Sequence, residues 1–266
     1  MTDSRIWHIE YGQGMPLVLI HGYTMDHRLL LPLEPAFTHR PGWRRLYLDL
    51  PGHGNSNRLP VPHTATVLTD TVIDWIQNVI GEQPFVVLGQ SFGGQIARAV
   101  TAHFGSQVLG SALLVPVVRW NDDRALPEET TIAEDQALMA ALPTEDGELF
   151  RAVTARLSSR NWELFQRHIL PGWRVHDRPA AAELENAFLL PEWPEINAPT
   201  HRGPHLLVTT RQDALVGWRD QLELLDHYPR MSATVLDGAG HNPQVESAVA
   251  VRNLLGQWLE DRITGR

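Results

Sequence analysis

The sequence predicts an α/β fold, a mostly parallel and doubly wound sheet carrying an inserted helical cap, and three observations predict it. Apolar strand-like runs alternate with helix-like segments over residues 1–118 and again over 203–266, the rhythm of a parallel sheet covered by helices. Between them, residues 119–202 lose that rhythm and read as helical pieces cut by Pro127, Pro143, Pro171, Pro179, Pro191, Pro194 and Pro199. Finally, Val86-Val87-Leu88-Gly89-Gln90-Ser91-Phe92-Gly93-Gly94 sets a glycine-flanked serine between an apolar strand and a breaker-free helix. The core is therefore assigned to 1–118 and 203–266, and the cap to 119–202.

Residues 5–11 alternate weakly and break at Gly12-Gln13-Gly14, after which Pro16 to Ile20 is a compact buried strand, so these two runs are expected to pair. That strand runs into His21-Gly22-Tyr23, a turn whose glycine lets backbone N–H groups face outward. Arg44 to Asp49 forms the next strand and ends in Leu50-Pro51-Gly52-His53-Gly54-Asn55-Ser56, a loop by its Pro and Gly punctuation. Val67, Leu68, Val72, Trp75, Ile76 and Val79 recur at helical spacing, with Thr64 as cap and Gly81 as stop. The serine turn follows, then a strand over Val108 to Val118. Cap helices are expected over Leu138–Leu142, Leu149–Leu157, Trp162–Ile169 and Ala180–Leu190, with no strand among them. Alternation resumes with a strand over His205–Thr209, a turn at Arg211-Gln212-Asp213, a helix over Asp220–His227 and a strand over Ala233–Leu236. Asp237-Gly238-Ala239-Gly240-His241 is the loop after that last strand, and Val249, Leu254, Leu255, Trp258 and Leu259 mark a closing amphipathic helix.

Composition narrows the function. With 22 basic against 31 acidic residues the net charge is −9 and no basic block occurs, which argues against nucleic acid or an anionic membrane surface as partner. A chain of 266 residues without cysteine has no disulfide, thiolate metal site or cysteine nucleophile. The first residues lack a signal-peptide layout and no apolar run approaches the ~20 residues of a membrane span, so the expectation is a cytoplasmic protein acting on a small molecule. The 13 histidines include no ligand spacing beside a carboxylate on a helix, and no glycine-rich phosphate loop is present, so neither metal nor cofactor is expected.

The chemistry is carried by residues remote in sequence. A serine on a strand-to-helix turn exposes its hydroxyl at the edge of the sheet, and small residues two positions away let strand and helix approach. Gly89 and Gly93 fill those positions. The bare pattern arises by chance roughly 0.09 times in such a chain, so its strand and helix context matters more than the motif. In a parallel sheet the loops after the strands share one edge, where Ser91, Asp213 and His241 converge as nucleophile, orienting acid and base. Asp122 and Asp123, after the preceding strand, compete for the acid's place. Trp120, Trp162, Trp173 and Trp193 are candidates to line an apolar substrate pocket. His21, His53 and Gln90 read as supporting residues.

Through the His21-Gly22 turn, Asp49 to Ser56, the serine turn, the Asp213 turn and Gly240-His241, the core resembles the α/β-hydrolase superfamily, in its serine-nucleophile branch with a helical cap. The chain order Ser, Asp, His is that family's. Membership would imply Ser91 as nucleophile, His241 as general base, Asp213 as acid, and the N–H groups of Tyr23 and Phe92 as oxyanion hole. Serine at position 91 disfavours the aspartate-nucleophile dehalogenases and epoxide hydrolases. The expected activity is cleavage of a carboxylic ester, or an amide or thioester, of a small to medium, fairly apolar substrate through an acyl-enzyme. The alternatives are a C–C bond hydrolase or lyase on the same residues, with Arg119 or Arg124 holding a carboxylate, and a non-catalytic ligand receptor. In this reading the cap selects the substrate and the core supplies the chemistry.

Overall fold

In a computed structural model describing residues 6–264, seven strands form one sheet in the order β1-β3-β2-β4-β5-β8-β9. They are β1 (His8–Tyr11), β2 (Met15–Ile20), β3 (Trp43–Leu48), β4 (Phe85–Gln90), β5 (Val108–Leu114), β8 (His205–Thr210) and β9 (Met231–Leu236). Every neighbouring pair is parallel except β1 with β3. This corrects the expected pairing of the first two strands, which have β3 between them. The apolar run of β2 suits a central position with both edges paired, whereas β1, with its alternating polar residues, suits the sheet's edge. The expected strand over Val108–Val118 stops at Leu114, because Val115 turns the chain with φ 42°.

Period-two alternation divides the core between the two faces. Val18, Ile20, Leu46, Leu48 and Val87 pack under α1 (Ala65–Val79) and α2 (Phe92–Phe104), while Leu17, Leu19, Tyr47, Val86 and Leu88 face α9 (Ala248–Trp258) and a 3₁₀ segment at Leu31–Phe37. Thr64 caps α1 by accepting the Val67 N–H (3.1 Å), and Gly81 leaves the helix at φ +64°.

Between β5 and β8 lie α3 (Gln136–Ala141), α4 (Thr144–Val153), α5 (Ser159–His168), α6 (Leu170–Val175) and α7 (Arg178–Glu185). They gather Phe150, Val153, Leu157, Phe165, Ile169 and Leu170 into a separate apolar cluster with Leu29 and Val245 of the core. A short parallel pair, β6 (Ala133–Glu134) and β7 (Arg156–Leu157), also occurs here, against expectation, since two residues per strand leave no periodic signal. The helix expected to reach Leu157 ends at Val153, where Thr154 turns extended and Arg156–Leu157 pairs as β7. Pro171, expected to mark a break, instead stands in the first turn of α6, where proline is tolerated. The segment Asp220–Asp226 is 3₁₀ rather than α-helical, and a short α8 (Pro243–Glu246) precedes α9. Among the described residues no helix is long and apolar enough to cross a membrane.

Candidate active site

The turn between β4 and α2 has the geometry its glycines require. Ser91 sits at φ 54°, ψ −117°, a backbone conformation that costs a non-glycine residue roughly 1–3 kcal/mol and persists only where the surroundings impose it. A Cβ at Gly89 would stand 2.1 Å from the Gly93 carbonyl oxygen, and one at Gly93 would stand 2.2 Å from the Ile20 oxygen. Strand, turn and helix are thus closer than any side chain permits.

Three side chains from three loop regions meet at the sheet's carboxyl edge. The Ser91 hydroxyl lies 2.9 Å from His241 Nε2, and His241 Nδ1 lies 3.0 and 2.9 Å from the two carboxylate oxygens of Asp213. Asp213 is wholly buried, and its Oδ1 also accepts the N–H groups of Leu215 (2.9 Å) and Val216 (3.0 Å). With Asp213 able only to accept, His241 Nδ1 carries a proton and Nε2 is left to accept from Ser91. Of the rival acids, Asp123 is exposed in a 3₁₀ turn, and the side chain of Asp122 lies outside the described residues.

The loop after β2 is held by the loop after β3 through two buried imidazoles. His21 Nδ1 donates to the Gly22 carbonyl (2.7 Å) while its Nε2 accepts the Leu50 N–H (2.9 Å). His53 repeats this, with Nδ1 on the Pro51 carbonyl (2.9 Å) and Nε2 accepting the Thr24 N–H (3.1 Å). Each ring must be neutral in a fixed tautomer, and burial holds both below the ordinary histidine range, His53 at about 3. Asp49 accepts from His27 and Asn55 in the same network. Asp26, His27 and Asp49 bring ligand atoms within 4.8 Å of one another, but hydrogen bonds from Arg28, His27 and Asn55 already engage the two carboxylates. The braced loop presents the Tyr23 N–H, and α2 begins with the Phe92 N–H. Among the described residues neither finds an acceptor.

A cavity of about 210 Å³ opens over Ser91 and His241. Its walls include Met25, Trp120, Leu149, Trp173, Phe188 and Val216. Tyr23 is fixed by donating its hydroxyl to the Ala181 carbonyl (2.9 Å), and burial with nearby Glu185 pushes that phenol up to about 12. Trp120 stacks on Phe188 with ring centres 4.2 Å apart, and Trp173 comes from α6. Trp162 and Trp193 do not line this cavity, which corrects the expectation for both. Trp162 packs on Phe150 and Phe165 inside the cap cluster, and Trp193 lies against Arg98 and His227. Phe188, Leu149 and Val216 escaped sequence reasoning because nothing separates them from ordinary core residues. A larger groove of about 780 Å³ runs between Leu31–Pro35 and residues 245–253 and contains none of the three converging side chains.

Comparison with known proteins gives consistent relatives. Residues 17–254 match the profile described as "Alpha/beta hydrolase family". The pimeloyl-[acyl-carrier protein] methyl ester esterase of Shewanella woodyi is 24% identical over 96% of this chain and 98% of its own. The 2-succinyl-6-hydroxy-2,4-cyclohexadiene-1-carboxylate synthase of Klebsiella pneumoniae is 37% identical over a local match covering 37% of this chain and 36% of its own. Among solved structures, an alpha/beta superfamily hydrolase from Oenococcus oeni superposes with a TM-score of 0.89 at 26% identity, covering 99% of this chain and 98% of that one.

Proposed function

The chain belongs to the alpha/beta hydrolase family, and from that premise we propose that this hydrolase cleaves carboxylic esters through an acyl-enzyme on Ser91. The observation that carries the reading is the unbroken hydrogen-bonded series from Ser91 through His241 to Asp213 at the floor of an apolar cavity.

The steps follow from that geometry. As the Ser91 oxygen attacks an ester carbonyl carbon, its proton passes to His241 Nε2, and Asp213 stabilises the resulting imidazolium. The carbonyl oxygen gains negative charge, and in this reading the backbone N–H groups of Tyr23 and Phe92 receive it; each such donor is worth roughly 10²–10³ in turnover. Collapse of the tetrahedral intermediate expels the alcohol, which takes the proton from His241, and water then releases the acid by the same route. Amides and thioesters would pass through the same intermediate.

The cavity's volume and aromatic walls suit a small, uncharged acyl or alkyl group. A C–C hydrolase or lyase reading draws no support from Arg119 or Arg124. Arg119 pairs with Glu223 (2.6 Å), Arg124 bonds to the Asn121 and Leu215 carbonyls, and no described cationic side chain lines the cavity. The hydrolysis of a methyl ester named for the Shewanella woodyi relative agrees with the ester class. The test is pre-steady-state hydrolysis of p-nitrophenyl esters of increasing acyl length. A burst of one nitrophenol per chain is expected, with the best turnover on short acyl groups. Absence of turnover on every ester, by folded protein, would favour the receptor reading.

A further inference from the structure

The loop bearing His241 is held by four separate elements, two of them outside the strand edge that supplies the chemistry. From the core, the Thr210 hydroxyl donates to the Gly240 carbonyl (2.7 Å) and Gln90 Nε2 donates to the His241 carbonyl (3.0 Å). From the cap, the Val153 carbonyl accepts the His241 N–H (3.0 Å). The fourth element is Glu246 on α8, whose Oε1 accepts the Gly240 N–H (2.8 Å) while Oε2 accepts the Ala155 N–H (2.9 Å). One carboxylate therefore binds the base's loop and the cap's chain together. The fit is close, because a Cβ at Gly240 would stand 2.7 Å from the Val153 oxygen and 3.1 Å from the Ala155 nitrogen.

We propose that Glu246 and the cap segment 153–156 form a clamp that positions His241, so that the cap contributes to turnover as well as to substrate choice. The inference rests on the ester-hydrolase reading above and modifies the expectation that cap and core act separately. Glu246 is a positioning residue, acting through Gly240 on the imidazole rather than on substrate. Burial pushes its carboxyl up to about 7, and the N–H groups of Gly240, Ala155 and Arg156 pull the other way. A buried acid is held there against its desolvation by donors on the two segments it joins. A base displaced by about 1 Å loses up to roughly 100-fold in rate, which sets the scale of the effect.

The test counts competent sites by titration with a fluorophosphonate and then measures turnover per titrated site on a p-nitrophenyl ester. Glu246→Gln keeps one acceptor but turns an amide N–H toward a backbone N–H, so turnover per site should fall about 10-fold. Glu246→Ala should fall about 100-fold, and Gly240→Ala, which pushes the loop off Val153, should fall similarly. In all three the Michaelis constant should stay within about twofold of wild type, since these residues do not form the substrate cavity's apolar wall. The partial recovery in Gln relative to Ala distinguishes positioning from simple packing. Should Glu246→Ala fail to fold, the other two variants decide. Wild-type turnover per site in Glu246→Gln and Gly240→Ala, with only the melting temperature lowered, would overturn the clamp. Failure of the wild type itself to be labelled would instead overturn the ester-hydrolase reading.

Discussion

Asp213→Asn changes few atoms but, on this structure, should reverse the tautomer of His241. The wild-type carboxylate accepts three N–H groups, those of Leu215 and Val216 on Oδ1 and that of His241 Nδ1 across both oxygens. Asparagine has one oxygen for these donors. Leaving the two buried backbone N–H groups unpaired costs about 1–3 kcal/mol each, so the amide oxygen stays with Leu215 and Val216. Its NH₂ then faces His241 Nδ1, which must become an acceptor. The ring proton moves to Nε2, where it blocks transfer from the Ser91 hydroxyl 2.9 Å away. The loss in turnover expected from a wrong tautomer is about 10⁴-fold, or about 5.5 kcal/mol of transition-state stabilisation. Steady-state hydrolysis of a p-nitrophenyl ester measures it, with a thermal melt in parallel to show a shift of only a few degrees. Turnover within tenfold of wild type would refute the assignment, as would a larger loss from Asp122→Asn or Asp123→Asn.

The tryptophans should separate by position. Trp173→Ala enlarges the cavity and should change the preference between long and short acyl esters by roughly 10- to 200-fold, whereas Trp162→Ala should leave that preference intact and lower the melting temperature. An unchanged chain-length profile in folded Trp173→Ala would remove α6 from the pocket. Acid should destabilise the fold, because burial holds His21 below the ordinary range and His53 and His205 down at about 3. The unfolded chain binds protons near pH 6.5 where the folded one does not, so their stabilisation is full above that pH. It is lost as pH falls, at about 1.4 kcal/mol per unit for each histidine. Glu246, pushed up to about 7, works in the opposite sense but is a single group. Melting temperatures should be flat from pH 7 to 8 and fall steadily below 6.5, and equal values at pH 5 and 7.5 would contradict this.

The converging trio was legible because each member stands at the end of a strand readable by its apolar run: Ser91 after β4, Asp213 after β8, His241 after β9. Parallel topology then places strand ends together whatever their distance in sequence. The brace between His21 and Leu50 was not legible, since the loops were visible but their interlocking hydrogen bonds depend on tertiary placement. The cap was read least well. Its helices are six to ten residues long and mutually packed, so Trp162 and Trp173 look alike in sequence; both pack against the cap cluster, but only Trp173 also lines the cavity. Glu246 lies five residues past His241, and only the return of the chain at Ala155 shows what its second oxygen binds.

The central claim, that Ser91 is a nucleophile activated by His241, is tested most directly by exposing the folded protein to a fluorophosphonate and mapping the adduct by peptide mass spectrometry. One adduct per chain is expected, on the peptide containing Ser91, and none in Ser91→Ala. An adduct that maps to another residue, or a folded wild type that takes none, would contradict it.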